Sequence, residues 1–124
     1  MSQLNKPKYT LLKNWGYAMN GLFEVTKNES SFKLQVVAFF ALQIVAFLLP
    51  IDIGYKVILG LSMFIPIMAE LVNSAIERVV DLVTTDYQIM AKYAKDAGAA
   101  LVFTSIILTS LIWVFTLLIA FKIL

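Results

Sequence analysis

Apolar residues are concentrated in three stretches of the chain, each long enough to cross a membrane as a helix. They occupy residues 32–51, 55–80 and 97–121. About 20 consecutive apolar residues are needed for an α-helix to span the hydrocarbon core of a bilayer. Because the short sequence Ile-Asp-Ile-Gly joins the first two stretches, we predict that they form a tight helical hairpin.

The residues before the first stretch alternate differently between apolar and polar positions. Apolar side chains recur at the spacing of one helix face, and polar and charged side chains occupy the other face. This pattern predicts an amphipathic helix that lies in the membrane interface or packs on the surface of the helix bundle. The apolar face consists of Leu11, Leu12, Trp15, Ala18, Met19, Leu22 and Phe23.

We therefore predict a single-domain, all-α membrane protein over residues 1–124. The surface helix should cover about 7–27, and the transmembrane helices about 29–50, 54–82 and 90–122. Composition supports this class, because 60% of the residues are hydrophobic and 15% are charged, whereas a soluble domain has roughly a quarter of its residues charged. The chain has no cysteine and no histidine, which excludes thiolate chemistry and leaves carboxylates, lysines and hydroxyls for any reaction.

The second apolar stretch carries a polar stripe, formed by Glu70, Asn73, Ser74, Glu77 and Asp81. At about 100° per residue these five side chains fall on one narrow face of a helix. Counted from Tyr55 at 1.5 Å per residue, Glu70 lies about 22 Å and Glu77 about 33 Å along the helix. Since the hydrocarbon core is ~30 Å thick, Glu70 is expected just inside the cytoplasmic interface and Glu77 at its boundary.

Three functions could use such a stripe. Glu70 could relay protons in a small transporter, or it could bind a cation. It could also act as a base on a lipid hydroxyl while Glu77 holds Mg²⁺ and a nucleotide on the aqueous side. The spacing favours this last function, because the Glu70–Glu77 rise of about 10.5 Å suits the ~8–10 Å from base to metal in a phosphoryl-transfer arrangement.

Two further features fit phosphoryl transfer. Glu29 is level with Glu77 at the start of the first span and can supply a second carboxylate for Mg²⁺, which is commonly held by one or two carboxylates together with substrate phosphates. Lys95 and Asp96 precede the third span, and a lysine at this place can neutralise phosphate charge. A subunit that serves only assembly would need none of these groups.

The stripe also resembles a family signature. The sequence E-L-V-N-S-A-I-E-R-V-V-D at 70–81 is similar to E-x-x-N-[ST]-A-[IV]-E-x-x-V-D of the bacterial integral-membrane diacylglycerol kinases. The resemblance covers essentially the whole chain. It continues at Lys13, Gly16-Tyr17, Gly21-Leu22, Asn28-Glu29, Asp86-Tyr87 and Ala94-Lys95-Asp96.

The resemblance implies a homotrimeric kinase of the bacterial inner membrane whose active sites are shared between subunits. Such an enzyme transfers the γ-phosphoryl group of MgATP to diacylglycerol and gives phosphatidic acid. By this likeness Glu70 is the catalytic base, assisted by Asn73, and Glu29 and Glu77 are the metal ligands. The implied nucleotide site comprises Thr10, Tyr17, Glu29, Glu77, Asp86, Tyr87, Gln88, Lys95 and Asp96. The implied lipid site comprises Asn14, Trp15, Met19, Phe23, Ser31, Gln35, Glu70 and Ala99.

Four positions depart from the family pattern. Thr10 replaces a frequent basic residue, Gln35 a frequent Glu, and Gln88 a frequent His. Pro66 lies one turn before Glu70, where it removes a helix hydrogen bond and predicts a kink. Relatives of this family that phosphorylate undecaprenol often read VAAGAV after Lys-Asp, whereas this chain reads AGAALV, so we expect diacylglycerol as substrate with undecaprenol as the alternative.

The distribution of lysine and arginine predicts the orientation in the membrane. Eight basic residues flank the side that holds the N-terminus and the connection between the second and third spans, and two flank the other side. The eight are Lys6, Lys8, Lys13, Lys27, Lys33, Arg78, Lys92 and Lys95, and the two are Lys56 and Lys122. Because the side richer in basic residues faces the cytoplasm, we expect a cytoplasmic N-terminus and an external C-terminus.

Single cysteines at the two ends of the chain test this orientation. In intact cells, an impermeant maleimide should label Leu124→Cys and leave Ser2→Cys unlabelled until the membrane is opened. Labelling of Ser2→Cys from outside would contradict the predicted orientation.

Overall fold

A computed structural model describes residues 10–124, and within this part of the chain every regular element is an α-helix. The helices are α1 (Leu11–Asn28), α2 (Ser30–Leu48), α3 (Ile53–Ser62), α4 (Phe64–Val83) and α5 (Ile89–Ala120). By length and composition, three stretches of these residues could cross a membrane: Ser30–Leu48, Ile53–Val83 and Ile89–Ala120. The prediction of an all-α membrane protein is confirmed. Residues 7–9, where the surface helix was expected to begin, lie outside the described residues.

The surface helix α1 joins α2 through one non-helical residue. Glu29 has an extended backbone (φ −117°, ψ 116°), so the two helices meet at a bend and the Glu29 side chain emerges from it. Leu12, Trp15 and Phe23 of α1 are 86%, 67% and 70% exposed. The apolar face of α1 is thus not covered by the bundle of its own chain, which favours a position in the membrane interface.

The second span is interrupted at Met63, between α3 and α4. Pro66 has no N–H to donate to the Ser62 carbonyl, so a regular helix cannot continue through this point. The Ser62 carbonyl instead faces the Thr109 hydroxyl of α5 at 3.4 Å, and the Trp113 indole N–H donates to the Ser62 hydroxyl at 3.2 Å. The distortion expected from Pro66 is therefore present, and α5 supplies polar partners beside it.

The interior of the bundle is unusually polar, and its periphery is apolar. Ser62, Ser74, Ser105, Thr109 and Thr116 are all buried, whereas many large apolar side chains of α2 and α5 are exposed. Small residues allow close contact between membrane helices, and their hydroxyls bond within or across them. Of the polar stripe of α4, Glu70, Asn73 and Ser74 are buried among the neighbouring elements, whereas Glu77 and Asp81 are exposed.

Candidate active site

Glu70 lies in the interior of the bundle, and only 5% of its surface is exposed. Its Oε1 accepts a hydrogen bond from the Ser31 hydroxyl at 2.8 Å, and its Oε2 accepts one from the Gln35 amide at 3.4 Å. Both donors are on the first turns of α2. No lysine or arginine among residues 10–124 lies within ion-pair distance of Glu70. The carboxylate is thus stabilised by neutral donors, which leave further lone pairs available to a substrate hydroxyl.

Asn73 follows Glu70 by one helical turn and is also buried. Its amide N–H donates to Glu77 Oε1 at 3.2 Å. Its Oδ1 is buried and has no hydrogen-bond partner among the described residues. A Cβ atom added to Gly98 of α5 would lie 2.3 Å from this oxygen. The absence of a side chain at Gly98 therefore makes room for the Asn73 amide between α4 and α5.

Glu29 reaches α4 from the bend between α1 and α2. Its Oε2 accepts a hydrogen bond from the Ser74 hydroxyl, and its Oε1 accepts two from Arg78, at 2.7 Å from Nη2 and 3.0 Å from Nε. Ser74 and Arg78 flank Glu77 in the sequence. Glu29 is thus held against the turn of α4 that contains Glu77, and its role as a metal ligand stays a prediction.

Arg78 also binds Glu24, which is in the last turns of α1. The Arg78 guanidinium, together with the Asn28 amide, lowers the pKa of the Glu24 carboxyl below its ordinary value. Glu24 therefore stays ionised under mildly acidic conditions. The stabilisation from its ion pair with Arg78 is lost only as the pH falls through this lowered pKa. The result is one guanidinium placed between two carboxylates.

Lys95 forms an ion pair with Asp81 at 2.6 Å. This contact ties the last residues of α4 to the first turns of α5 across the connection at 84–88. Lys92 pairs with Asp96 along α5, and the Asp86 N–H donates to the Thr84 hydroxyl at 3.1 Å within the connection. Lys95 thus lies at the C-terminal end of the polar stripe, where its ammonium pairs with the Asp81 carboxylate.

The predicted site residues fall into two groups. Ser31, Gln35 and Glu29 make hydrogen bonds to the face of α4 that carries Glu70, Asn73 and Glu77. Lys95 pairs with Asp81 at the end of that face, and Asp96 pairs with Lys92 along α5. The other group makes no side-chain hydrogen bond to the polar stripe within residues 10–124, and its members are exposed apart from the half-buried Asn14. This second group comprises Thr10, Asn14, Trp15, Tyr17, Met19, Phe23, Asp86, Tyr87, Gln88 and Ala99.

Sequence reasoning gave no role to several residues that shape this site. Glu24 and Arg78 are 54 positions apart, and no spacing rule connects them. Gly98 occurs in the sequence Ala-Gly-Ala-Ala, where a glycine inside a predicted helix already indicates a close approach. Asp81 and Lys95 had predicted roles, but their ion pair was not predicted. Their opposite charges on either side of a short connection already indicate that they can pair.

The donor atoms fit a hard divalent cation that is shared with a phosphate. No group of three or more acidic side chains lies together in the part of the chain that the structure describes, so protein carboxylates alone do not enclose a metal. Glu29 and Glu77 nevertheless offer carboxylate oxygens beside the same turn of α4. The buried Asn73 Oδ1 adds an oxygen that has no hydrogen-bond partner among the described residues. Mg²⁺ commonly takes one or two carboxylates and completes its shell with phosphate oxygens and water.

Several known proteins are similar to this chain over most of its length. The family model of the prokaryotic diacylglycerol kinases matches residues 16–117. A diacylglycerol kinase of Escherichia coli strain K12 is 34% identical over 103 residues, which are 83% of this chain and 84% of that protein. A diacylglycerol kinase of Pseudomonas aeruginosa is 32% identical over 108 residues, 87% of this chain and 88% of its own. An undecaprenol kinase of Bacillus subtilis strain 168 is 36% identical over 90 residues, 73% of each chain.

The contact between Gly98 and Asn73 generates a prediction about stability. Gly98→Ala should lower the melting temperature of the purified protein, because overpacking of this kind costs about 1–3 kcal/mol. Gly54→Ala is the matched control, since a Cβ there meets nothing within 4 Å. Asn73→Ala in the Gly98→Ala background should recover part of the loss. An unchanged melting temperature for the Gly98→Ala protein would contradict the close contact between Gly98 and Asn73.

Proposed function

Because the chain belongs to the prokaryotic diacylglycerol kinase family, we propose that it transfers the γ-phosphoryl group of ATP to the hydroxyl of diacylglycerol and forms phosphatidic acid. The observation that carries the proposal is the buried Glu70 carboxylate, held by Ser31 and Gln35 near one end of a membrane span. A carboxylate at that depth meets the polar end of a lipid without leaving the bundle.

Glu70 is the proposed general base. It accepts the proton of the lipid hydroxyl as the hydroxyl oxygen bonds to the γ-phosphorus, and the bond between that phosphorus and the leaving oxygen of ADP breaks. Ser31 and Gln35 fix the orientation of the carboxylate, because each donates to a different oxygen. A positioned base of this kind contributes roughly 10²–10⁴-fold to a rate.

The groups nearer the cytoplasmic end are proposed to bind the nucleotide. Glu29 and Glu77 would hold Mg²⁺ together with phosphate oxygens, with the Asn73 Oδ1 beside them, and the ion would neutralise charge on the transferring group. Lys95 would exchange its contact with Asp81 for a phosphate oxygen. Catalysis of phosphoryl transfer depends mainly on positioning and electrostatic stabilisation, and these residues supply both on one face of α4.

The remaining predicted site residues support a site completed by a second subunit. The side chains of α1 and of the 84–88 connection make no hydrogen bond to the polar stripe within their own chain. In a homotrimer with shared sites, α1 of one subunit would cover the stripe of another and bring Tyr17 and Trp15 to nucleotide and lipid. We therefore include the homotrimer, and a cytoplasmic site in the bacterial inner membrane, in the proposal.

Undecaprenol is retained as the alternative substrate. One similar protein is an undecaprenol kinase, and the active-site carboxylates alone do not distinguish the two lipid alcohols. The AGAALV sequence after Asp96 supports diacylglycerol. Membership of a kinase family disfavours the proton-coupled transporter that the polar stripe by itself would permit.

Transfer of label from γ-labelled ATP into purified lipids tests the proposal. In mixed micelles, the wild type should label diacylglycerol in preference to undecaprenol. Glu70→Gln should lower kcat about 10²–10⁴-fold and leave the KM for MgATP little changed, because an interaction needed mainly in the transition state is lost.

Asp52→Asn is the matched control for the charge change, since Asp52 is exposed at the far end of the α2–α3 hairpin. It should retain wild-type turnover. Labelling of undecaprenol alone would replace the proposed substrate, and full turnover by Glu70→Gln would remove Glu70 from the role of base.

A further inference from the structure

The contacts of Arg78 block the carboxylate that the proposed function assigns to the metal. Two N–H groups of Arg78 donate to Glu29 Oε1, and the Ser74 hydroxyl donates to Glu29 Oε2. The third side of the guanidinium donates to Glu24. Both Glu29 oxygens are therefore engaged, and one of them faces a full positive charge.

A divalent cation and a guanidinium cannot both lie against Glu29 Oε1 without strong repulsion. Arg78 cannot resolve the conflict by losing a proton, because arginine stays charged in proteins. The guanidinium must therefore move when the cation binds. Its side chain is 44% exposed, and that of Glu29 is 21% exposed, so the mobile partner of the pair is Arg78.

Glu24 is a second carboxylate partner that Arg78 can keep when it leaves Glu29. The Glu24 side chain is 48% exposed and lies on α1, on the other side of the bend at Glu29. Arg78 can keep this contact while it releases Glu29. The guanidinium displaced by the metal cation therefore remains paired with a carboxylate. Without Glu24, the guanidinium would have only Glu29 as a partner and would hold it more firmly.

We propose that Arg78 is a competing internal cation for Glu29, and that Glu24 lowers the cost of displacing it when the metal–nucleotide complex binds. This inference rests on the proposed function, in which Glu29 is a metal ligand. It adds a residue pair that sets the metal requirement without touching the reacting atoms. Arg78 and Glu24 are positioning residues in this scheme.

Binding of Mn²⁺ in the presence of a non-hydrolysable ATP analogue tests the proposal without turnover. Free Mn²⁺ is measured by electron paramagnetic resonance on the full-length purified protein. Arg78→Gln should lower the Kd for Mn²⁺ by about fivefold, and Glu24→Gln should raise it by a similar factor, on the scale of a half-exposed ion pair.

The double variant Arg78→Gln/Glu24→Gln distinguishes two explanations. In the first, Arg78 and the cation compete for Glu29, and in the second, the charges of Arg78 and Glu24 each act on the cation independently. If Glu24 acts through Arg78, the double variant behaves like Arg78→Gln. If the two charges act independently, their opposite effects cancel and the double variant returns to the wild-type Kd, which would overturn the proposal. A purely structural role predicts that both single variants weaken binding, and this too would overturn it.

Glu29→Gln distinguishes failure of this inference from failure of the proposed function. Weaker Mn²⁺ binding by Glu29→Gln supports Glu29 as a ligand, and the Arg78 and Glu24 variants then decide the competition alone. Unchanged binding by Glu29→Gln would remove Glu29 from the metal site and overturn the competition together with that part of the proposed function.

Discussion

The carboxylate of Glu70 is the constraint on which the rest of this structure depends. A polar side chain buried inside a membrane protein is tolerated only where polar partners replace water. Ser31 and Gln35 meet this requirement from α2, so the contact between α2 and α4 includes buried hydrogen bonds as well as the apolar contact of Phe39 with Phe64. The same contact fixes where α2 begins, and hence where the bend at Glu29 brings a second carboxylate against α4.

Along α4, the side chains of the candidate site become more exposed from Glu70 towards the C-terminal end of the helix. Glu70 is buried among neutral donors, Asn73 lies one turn further on beside Gly98, and Glu77 is exposed at the next turn. The Asp81–Lys95 ion pair lies at the C-terminal end of this series. In the proposed reaction, a lipid hydroxyl would approach the buried end of this series and a nucleotide phosphate its exposed end, so that one helix face would serve both substrates.

Much of this architecture follows from the sequence because it rests on periodicity. Apolar stretches of sufficient length predicted the spans, and the offsets of Glu70, Asn73 and Glu77 predicted a common helix face. Pro66 predicted a kink, and the helix is interrupted near Met63. Periodicity does not predict contacts between elements that are far apart in the sequence. The Glu24–Arg78–Glu29 cluster depends on how α1 turns back at one residue, and the fit of Asn73 against Gly98 depends on how closely α5 approaches α4. The residues of α1 that resemble a substrate site make no side-chain hydrogen bond to the polar stripe within residues 10–124, and the periodicity of α1 gave no information on this point.

Calorimetric titration of Mg²⁺ and a non-hydrolysable ATP analogue into Glu70→Gln and Glu77→Gln proteins tests the division of roles by depth most directly, since binding remains measurable when turnover is lost. The account predicts that Glu70→Gln binds the metal–nucleotide complex as the wild type does, whereas Glu77→Gln binds it more weakly and needs more Mg²⁺. Loss of binding by Glu70→Gln together with wild-type binding by Glu77→Gln would contradict it and reverse the two roles.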